Sequence, residues 1–297
     1  MKSAFFAVLM LALPGIAWAQ TPPPIVGEAE TVYTEAERWR DEQMSRRFVQ
    51  SLLKPSLNVD GQFARWKAPV CPRVVGLTRA AAFVVERRIR EVATQIGAQV
   101  DRADPCHPNI VILVSPEPQQ TLDDVLKADS LLLAASPQKD LTMRYPVQAW
   151  YFGSFRDYNG APHLDIPWEI LYPERDTPPP VPAKITRLGT GLKAEMGVAT
   201  IIVDANAIAG LTLGSIGDYL SLMSLAQTPA TGRCQPAPSI ANLFVKGCDA
   251  DFQATSLSDV DMAMLKGLYA APDDPEKLQS LRIVRQMGRY LEQQSQK

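Results

Sequence analysis

The sequence predicts an α/β (α+β) fold, a mixed β-sheet with packed helices, preceded by an N-terminal helical arm. Three observations carry this reading. Ile110–Val114 is an unbroken branched apolar run between Pro108 and Pro116, and residues 197–203 (GVATIIV) are a second; such runs form strands buried on both faces. A strong amphipathic helix precedes the first run, with Val85, Ile89, Val92 and Ile96 on one stripe. A later helix, about residues 212–227, is apolar nearly all round and so belongs in the middle of a domain.

The elements follow in chain order. Lys2, the apolar stretch from Ala4 to Ala17 and Ala17-Trp18-Ala19 have the form of a secretory signal, cut after Ala19. The stretch falls short of the roughly 20 residues of an ordinary span, so no stable membrane span is expected after cleavage. The expected location is the periplasm or the extracellular space. Residues 20–59 read as a proline-bearing linker and helical arm, and residues 60–297 as one domain with a C-terminal helix. In the arm, Thr34 and Glu37 form a capping box. Met44, Phe48 and Leu52 make an apolar stripe, and Pro55 ends the helix. That stripe either packs on the domain or drives self-association through Thr34–Lys54.

In the domain, Cys71–Leu77 is a predicted strand, Thr78 caps the amphipathic helix and Gly97 ends it. With Ile110–Val114 this makes a βαβ unit, so the two strands are expected to be parallel. A shorter helix runs from Thr121 to about Ala128, and Val147–Phe155 is an aromatic-rich strand. Residues 177–182 (TPPPVP) are an extended loop. Ser258 caps a helix with Asp261 at its third position, and residues 276–293 close the chain as a helix.

Net charge is −2, which offers no electrostatic case for nucleic acid or an anionic membrane. The cysteines are Cys71, Cys106, Cys234 and Cys248. In an oxidising compartment they are expected to pair. Nearness in sequence favours Cys71–Cys106 and Cys234–Cys248 among the three connectivities. No CxxC or HxxxH spacing supports a metal at these cysteines.

From Val198 onward the pieces fall in the order strand, apolar helix, Pro238-Ser239-Ile240, then Leu257-Ser258 followed by Asp261, Leu265, Leu268 and Tyr269. This order resembles the zincin families of zinc peptidases, the metzincins in particular. The resemblance covers residues 198–271 by motif and 68–271 by element order. It implies a zincin-like domain whose central helix carries HExxHxxGxxH. Here that helix reads LGSIGDYLSLMSLAQ, without a histidine. The family register puts Asp218 and Leu222 at the two histidines and Tyr219 at the glutamate. Leu225 takes the glycine and Thr228 the third ligand, and Ala241 replaces the methionine of the following turn. Zinc catalysis requires about three protein ligands and a carboxylate base, so the resemblance implies no catalytic residue, no metal and no cofactor. What remains is a possible residual cleft with Asp218, Tyr219 and Ser221. The bland reading of Asp218 is a hydrogen bond to a neighbouring loop.

By the same resemblance, an extended peptide or an envelope protein would bind between the central helix and an edge strand, Val147–Phe155 or Ala183–Arg187. The alternative is a hydrolase of different mechanism that reuses the cleft through Asp218, His163 or Asp165. His163-Leu164-Asp165 with Glu169 is a nonspecific metal candidate, and His107 reads as a loop residue. Trp150, Tyr151 and Phe152 either line a cleft or alternate across a sheet.

Overall fold

The computed structural model describes residues 42–59, 61–128, 141–183, 191–228, 230, 232–273 and 276–294. The signal segment, the Thr34 cap and residues 184–187 of the alternative edge strand lie outside them.

A long strand organises the sheet because its sequence suits burial on both sides. This strand, β6 (Lys193–Asp204), pairs in parallel with β3 (Ile110–Ser115), Ile110 opposite Ala199. Its first half pairs in parallel with the short β1 (Arg65–Trp66). On its other side β4 (Val147–Arg156) runs antiparallel along its length. The edges are β2 (Pro72–Val75), parallel to β3, and β5 (Pro162–Leu164), antiparallel to β4. The spatial order is β2-β3-β6-β4-β5, so the sheet is mixed as predicted. β2 is shorter than the predicted Cys71–Leu77 because the chain turns at Gly76. There φ is +97°, and a Cβ would lie 1.9 Å from the Val114 carbonyl oxygen, a conformation open to glycine alone. The first four residues of β6 were not foreseen. Ala194 and Met196 are buried while Lys193 and Glu195 are not, so that part alternates instead of running apolar.

Alternation sorts the strand side chains between two layers. Ile201 and Val203 face the main core, whereas Ile202 joins Trp150 and Leu122 in a smaller cluster on the opposite face. α3 (Pro118–Ala128) supplies Leu122 and covers that face. The main face carries α2 (Arg79–Ile96), α5 (Leu213–Leu225), α6 (Asp259–Ala270) and α7 (Glu276–Gln294). α4 (Trp168–Leu171) is a single turn after β5.

The arm is not a separate body. Its described helix is α1 (Glu42–Leu52), and Phe48, Val49, Leu52 and Leu53 are buried in the main core. Val59, Phe63 and Trp66 continue the same cluster. The core cluster therefore includes residues on both sides of the expected boundary. The stripe proposed for self-association is spent on intramolecular contacts at Phe48 and Leu52, because burying them there removes their apolar area from water.

α5 is central, and all of Ser215–Leu225 is buried. Thr212 caps its start, accepting from the Ser215 N–H at 3.1 Å. Gly217 lets α2 approach: a Cβ there would sit 3.1 Å from Cβ and Cγ of Arg88. The end of a buried helix leaves carbonyls that need donors. Three aromatic side chains supply them. The Tyr151 hydroxyl donates to Met223 O at 2.7 Å, Trp66 Nε1–H to Ser224 O at 2.7 Å, and the Tyr269 hydroxyl to Leu225 O at 2.9 Å. Tyr269→Phe removes one of these donors with little change of shape. It is expected to cost about 1 kcal/mol, read as a lower urea midpoint at unchanged slope.

Both disulfides pair as predicted, Cys71–Cys106 with Cα atoms 6.1 Å apart and Cys234–Cys248 with 5.4 Å. Among the described residues no helix is long and apolar enough to cross a membrane.

Candidate functional site

α5 places the three residues of the expected cleft on different faces. Residues 218 and 221 share a face at a spacing of three, and residue 219 is turned about 100° away. Asp218 faces α2. Arg88 Nε–H donates to its Oδ1, and the Leu257 N–H donates to Oδ2 at 3.0 Å. The carboxylate thus latches α5 to α2 and to the segment entering α6. Ser221 is fully buried and donates to Gly217 O at 2.6 Å, within its own helix. Neither side chain opens to a cleft, which corrects the expected grouping of Asp218, Tyr219 and Ser221. Of the three, Tyr219 lines the cavity beside α5, and Asp218 and Ser221 do not.

That cavity measures about 40 Å³. It is lined by Tyr219 and Met223 of α5, by Tyr145 and Pro146 before β4 and Val147 at its start, and by Leu52 of α1. Thr228, Ala230, Gly232, Gln235, Ala241, Phe244 and Val245 complete the lining. Phe244 meets the Tyr219 ring edge-on, with centroids 4.7 Å apart. Burial pushes the Tyr219 phenol above its ordinary range, so it stays protonated and neutral at pH 7. It cannot serve as the base that glutamate would supply.

The wall after Thr228 has its own scaffold. The Cys234–Cys248 bridge closes the loop, and Asn242 lies fully buried inside it. Asn242 Nδ2 donates to Phe252 O at 2.8 Å and to Ala237 O at 3.2 Å, while its Oδ1 accepts the Gln235 N–H at 2.7 Å. Asp261, also fully buried, holds the loop to α6. It accepts from the Ser239 hydroxyl at 2.6 Å, the Ile240 N–H at 2.9 Å, and the Ser258 N–H and hydroxyl at 3.0 Å each. The Ser239-Ile240 turn and the Ser258–Asp261 capping box are therefore in direct contact.

The other candidates are occupied elsewhere. Asp165 accepts four hydrogen bonds from residues 56–58. His163 stacks on Phe155 and its Nε2 lies 3.1 Å from Asp157 Oδ2. Glu169 and His107 are exposed. Among the described residues no three His, Cys, Asp or Glu side chains converge as a metal site. Trp150 and Tyr151 point to opposite faces, and β4 is an inner strand, since β5 pairs with it over Ser154–Arg156. The edge role expected of Val147–Phe155 therefore does not hold along the whole strand.

Asp157 gives a pH-dependent signature. The His163 hydrogen bond, helped by the Ala161 and Asn159 N–H groups, holds its carboxyl below the usual range. A lowered folded-state value stabilises the fold above the ordinary carboxylate range, and that contribution is lost as pH falls through the folded-state value. Asp157→Asn is expected to flatten the loss of stability between pH 5 and pH 2, about the carboxylate range, in urea titrations at stepped pH.

Sequence reasoning put Tyr219 in the expected cleft and named Thr228 only as the position of the missing third ligand. It missed Tyr145, Gln235 and Phe244, which come from loops with no periodic pattern. Comparison with protein-family models, with curated proteins and with solved structures found no match to this chain.

Proposed function

We propose that this is a secreted or periplasmic, noncatalytic protein with a metallopeptidase-like fold that has lost its zinc ligands, and that it binds or scaffolds in the cell envelope. In this reading the segment ending at Ala19 is the cleaved signal. The ligand is an extended peptide or an exposed segment of an envelope protein, taken up at the Tyr219 cavity. The observation that carries the reading is the fate of the catalytic register on α5. Asp218 is tied to Arg88 and Leu257, Tyr219 is a neutral phenol, Leu222 is fully buried, and Thr228 stands at the third ligand position. A hydrolytic zinc site needs ligands and a base there. The contact of the Ser239-Ile240 turn with Asp261 supports the resemblance, since the two motifs that carry it form one unit. Two disulfides and the lack of a spanning helix among the described residues fit export.

The alternative hydrolase through Asp218, His163 or Asp165 is weaker, because each already has a structural partner. The test is elemental mass spectrometry on protein exported to a periplasm and purified without chelator or tag histidines, paired with a casein assay. The expected result is near-zero zinc and no cleavage. About one tightly held zinc per chain, or cleavage abolished by EDTA, overturns the proposal.

A further inference from the structure

We propose that the Cys234–Cys248 bridge is a thiol–disulfide exchange site for a dithiol reductant, and that it latches the Phe244 wall of the Tyr219 cavity. The two bridges of the chain differ in access. Cys71 and Cys106 are 1% and 9% exposed, so their bridge is sealed in the fold. Cys234 is exposed and Cys248 half-buried. Exchange needs a thiolate to reach a bridge sulfur, so access decides which bridge reacts. The charges beside the open bridge, Arg233, Lys246 and Asp249, are of both signs and do not decide it. Gln235, Ala241, Phe244 and Val245 lie between its two cysteines and line the cavity. The first part of that loop is held without the bridge, by Asp261 at Ser239 and Ile240 and by Asn242 at Phe252. The second part has weaker ties. Its Leu243 and Val245 N–H groups donate back to Ile240 O and Asn242 O at 3.0 Å each, within the loop. Phe244 is held by packing, including its edge-on contact with Tyr219. The bridge is the covalent tie that ends this part, so opening it releases the Phe244 wall while Asp261 keeps the rest docked.

One thiolate of the dithiol bonds to Cys234 Sγ, on the more exposed residue of the pair. The bridge breaks, and Cys248 Sγ leaves with the electron pair and takes a proton from water. The second thiolate then attacks the dithiol's own bridged sulfur and releases Cys234 in the same way. The protein bridge gains two electrons and two protons, and the dithiol loses them in becoming a disulfide.

The probe is dithiothreitol, added to the exported full chain under native conditions. Free thiols are trapped by alkylation and located by peptide mass spectrometry. Cys234 and Cys248 are expected to be labelled at least about tenfold faster than Cys71 and Cys106. After that selective reduction, near-ultraviolet circular dichroism should still show the folded chain. Hydrogen exchange at the Val245 N–H should rise about a hundredfold, the loop-closure effect for a loop of about 15 residues. Exchange at Ile240, held by Asp261, should not move. Removing the dithiothreitol and reoxidising should restore protection at Val245. Equal labelling of the two bridges, or earlier labelling of Cys71 and Cys106, overturns the exchange site. Selective reduction with unchanged exchange at Val245 shows that packing alone holds the wall, and selective reduction that unfolds the chain makes the bridge a structural staple; either result overturns the latch. None of these readouts depends on a peptide or on zinc.

Discussion

Asp261→Ala is expected to lower the stability of the folded chain by about 4 kcal/mol, since each donor it leaves unpaired costs about 1–3 kcal/mol. Four donors converge on this carboxylate, from Ser239, Ile240 and twice from Ser258. The Ile240 and Ser258 N–H groups cannot turn away to find other acceptors. Alanine leaves them buried and unpaired, and it breaks the capping box that starts α6. The loss is read from urea midpoints, with hydrogen exchange at Ile240 as a local probe. Asp261→Asn is expected to lose less, since one amide oxygen still accepts. Burial pushes the Asp261 carboxyl above its usual range, and the donors offset this only in part. The folded state therefore takes up a proton before the unfolded state does. On this group alone, stability rises as pH falls from the raised value toward the ordinary carboxylate range. The alanine variant lacks that component. A loss below about 1 kcal/mol would show that the hub is not what joins the Ser239-Ile240 turn to α6.

The second large effect is at Asp165. Its Oδ2 accepts the Ser56 hydroxyl at 2.7 Å, and its Oδ1 accepts the Asn58 N–H at 2.9 Å and Nδ2–H at 3.0 Å. Asp165 is 5% exposed, and its bond to Ser56 is buried away from water, whereas Asn58 itself is exposed. They fasten the segment leaving α1 to the β4–β5 hairpin, over more than 100 positions of sequence. Asp165→Ala is expected to cost about 3 kcal/mol, since hydrogen bonds to a charged group contribute about 1.5–3 kcal/mol. It should also open residues 55–59 to proteolysis at a rate the parent does not show. A metal or catalytic role would predict the opposite: unchanged stability with a lost activity.

Much of the fold was legible because its signals are local. The period of Val85, Ile89, Val92 and Ile96 marks α2, and all four are buried. The apolar runs at Ile110–Val114 and residues 197–203 lie within β3 and β6. Ser258 with Asp261 makes the capping box expected of it. Each of these depends on residues within a few positions of one another, where chain geometry alone decides which side chains meet. The candidate site was legible only in part. The register on α5 put Tyr219 in the expected cleft but grouped Asp218 and Ser221 with it, and it named Thr228 only as the position of the missing third ligand. Nothing local to Asp218 reveals that Arg88, on another helix, takes its carboxylate.

By itself the sequence determined the main helices, the buried runs of β3 and β6 and the absence of histidine from the central helix, and it favoured the observed pairing of its four cysteines among three. Those properties depend on residue type and short spacing. Tertiary structure decided the rest. It placed α1 inside the core, set β4 between β6 and β5, and brought Tyr145, Tyr219, Thr228 and Phe244 around one small cavity. It also turned Asp165, Asp218 and Asp261 into anchors between distant segments. The physical reason is that a buried polar group must find a partner wherever packing brings one, and packing is a property of the whole chain.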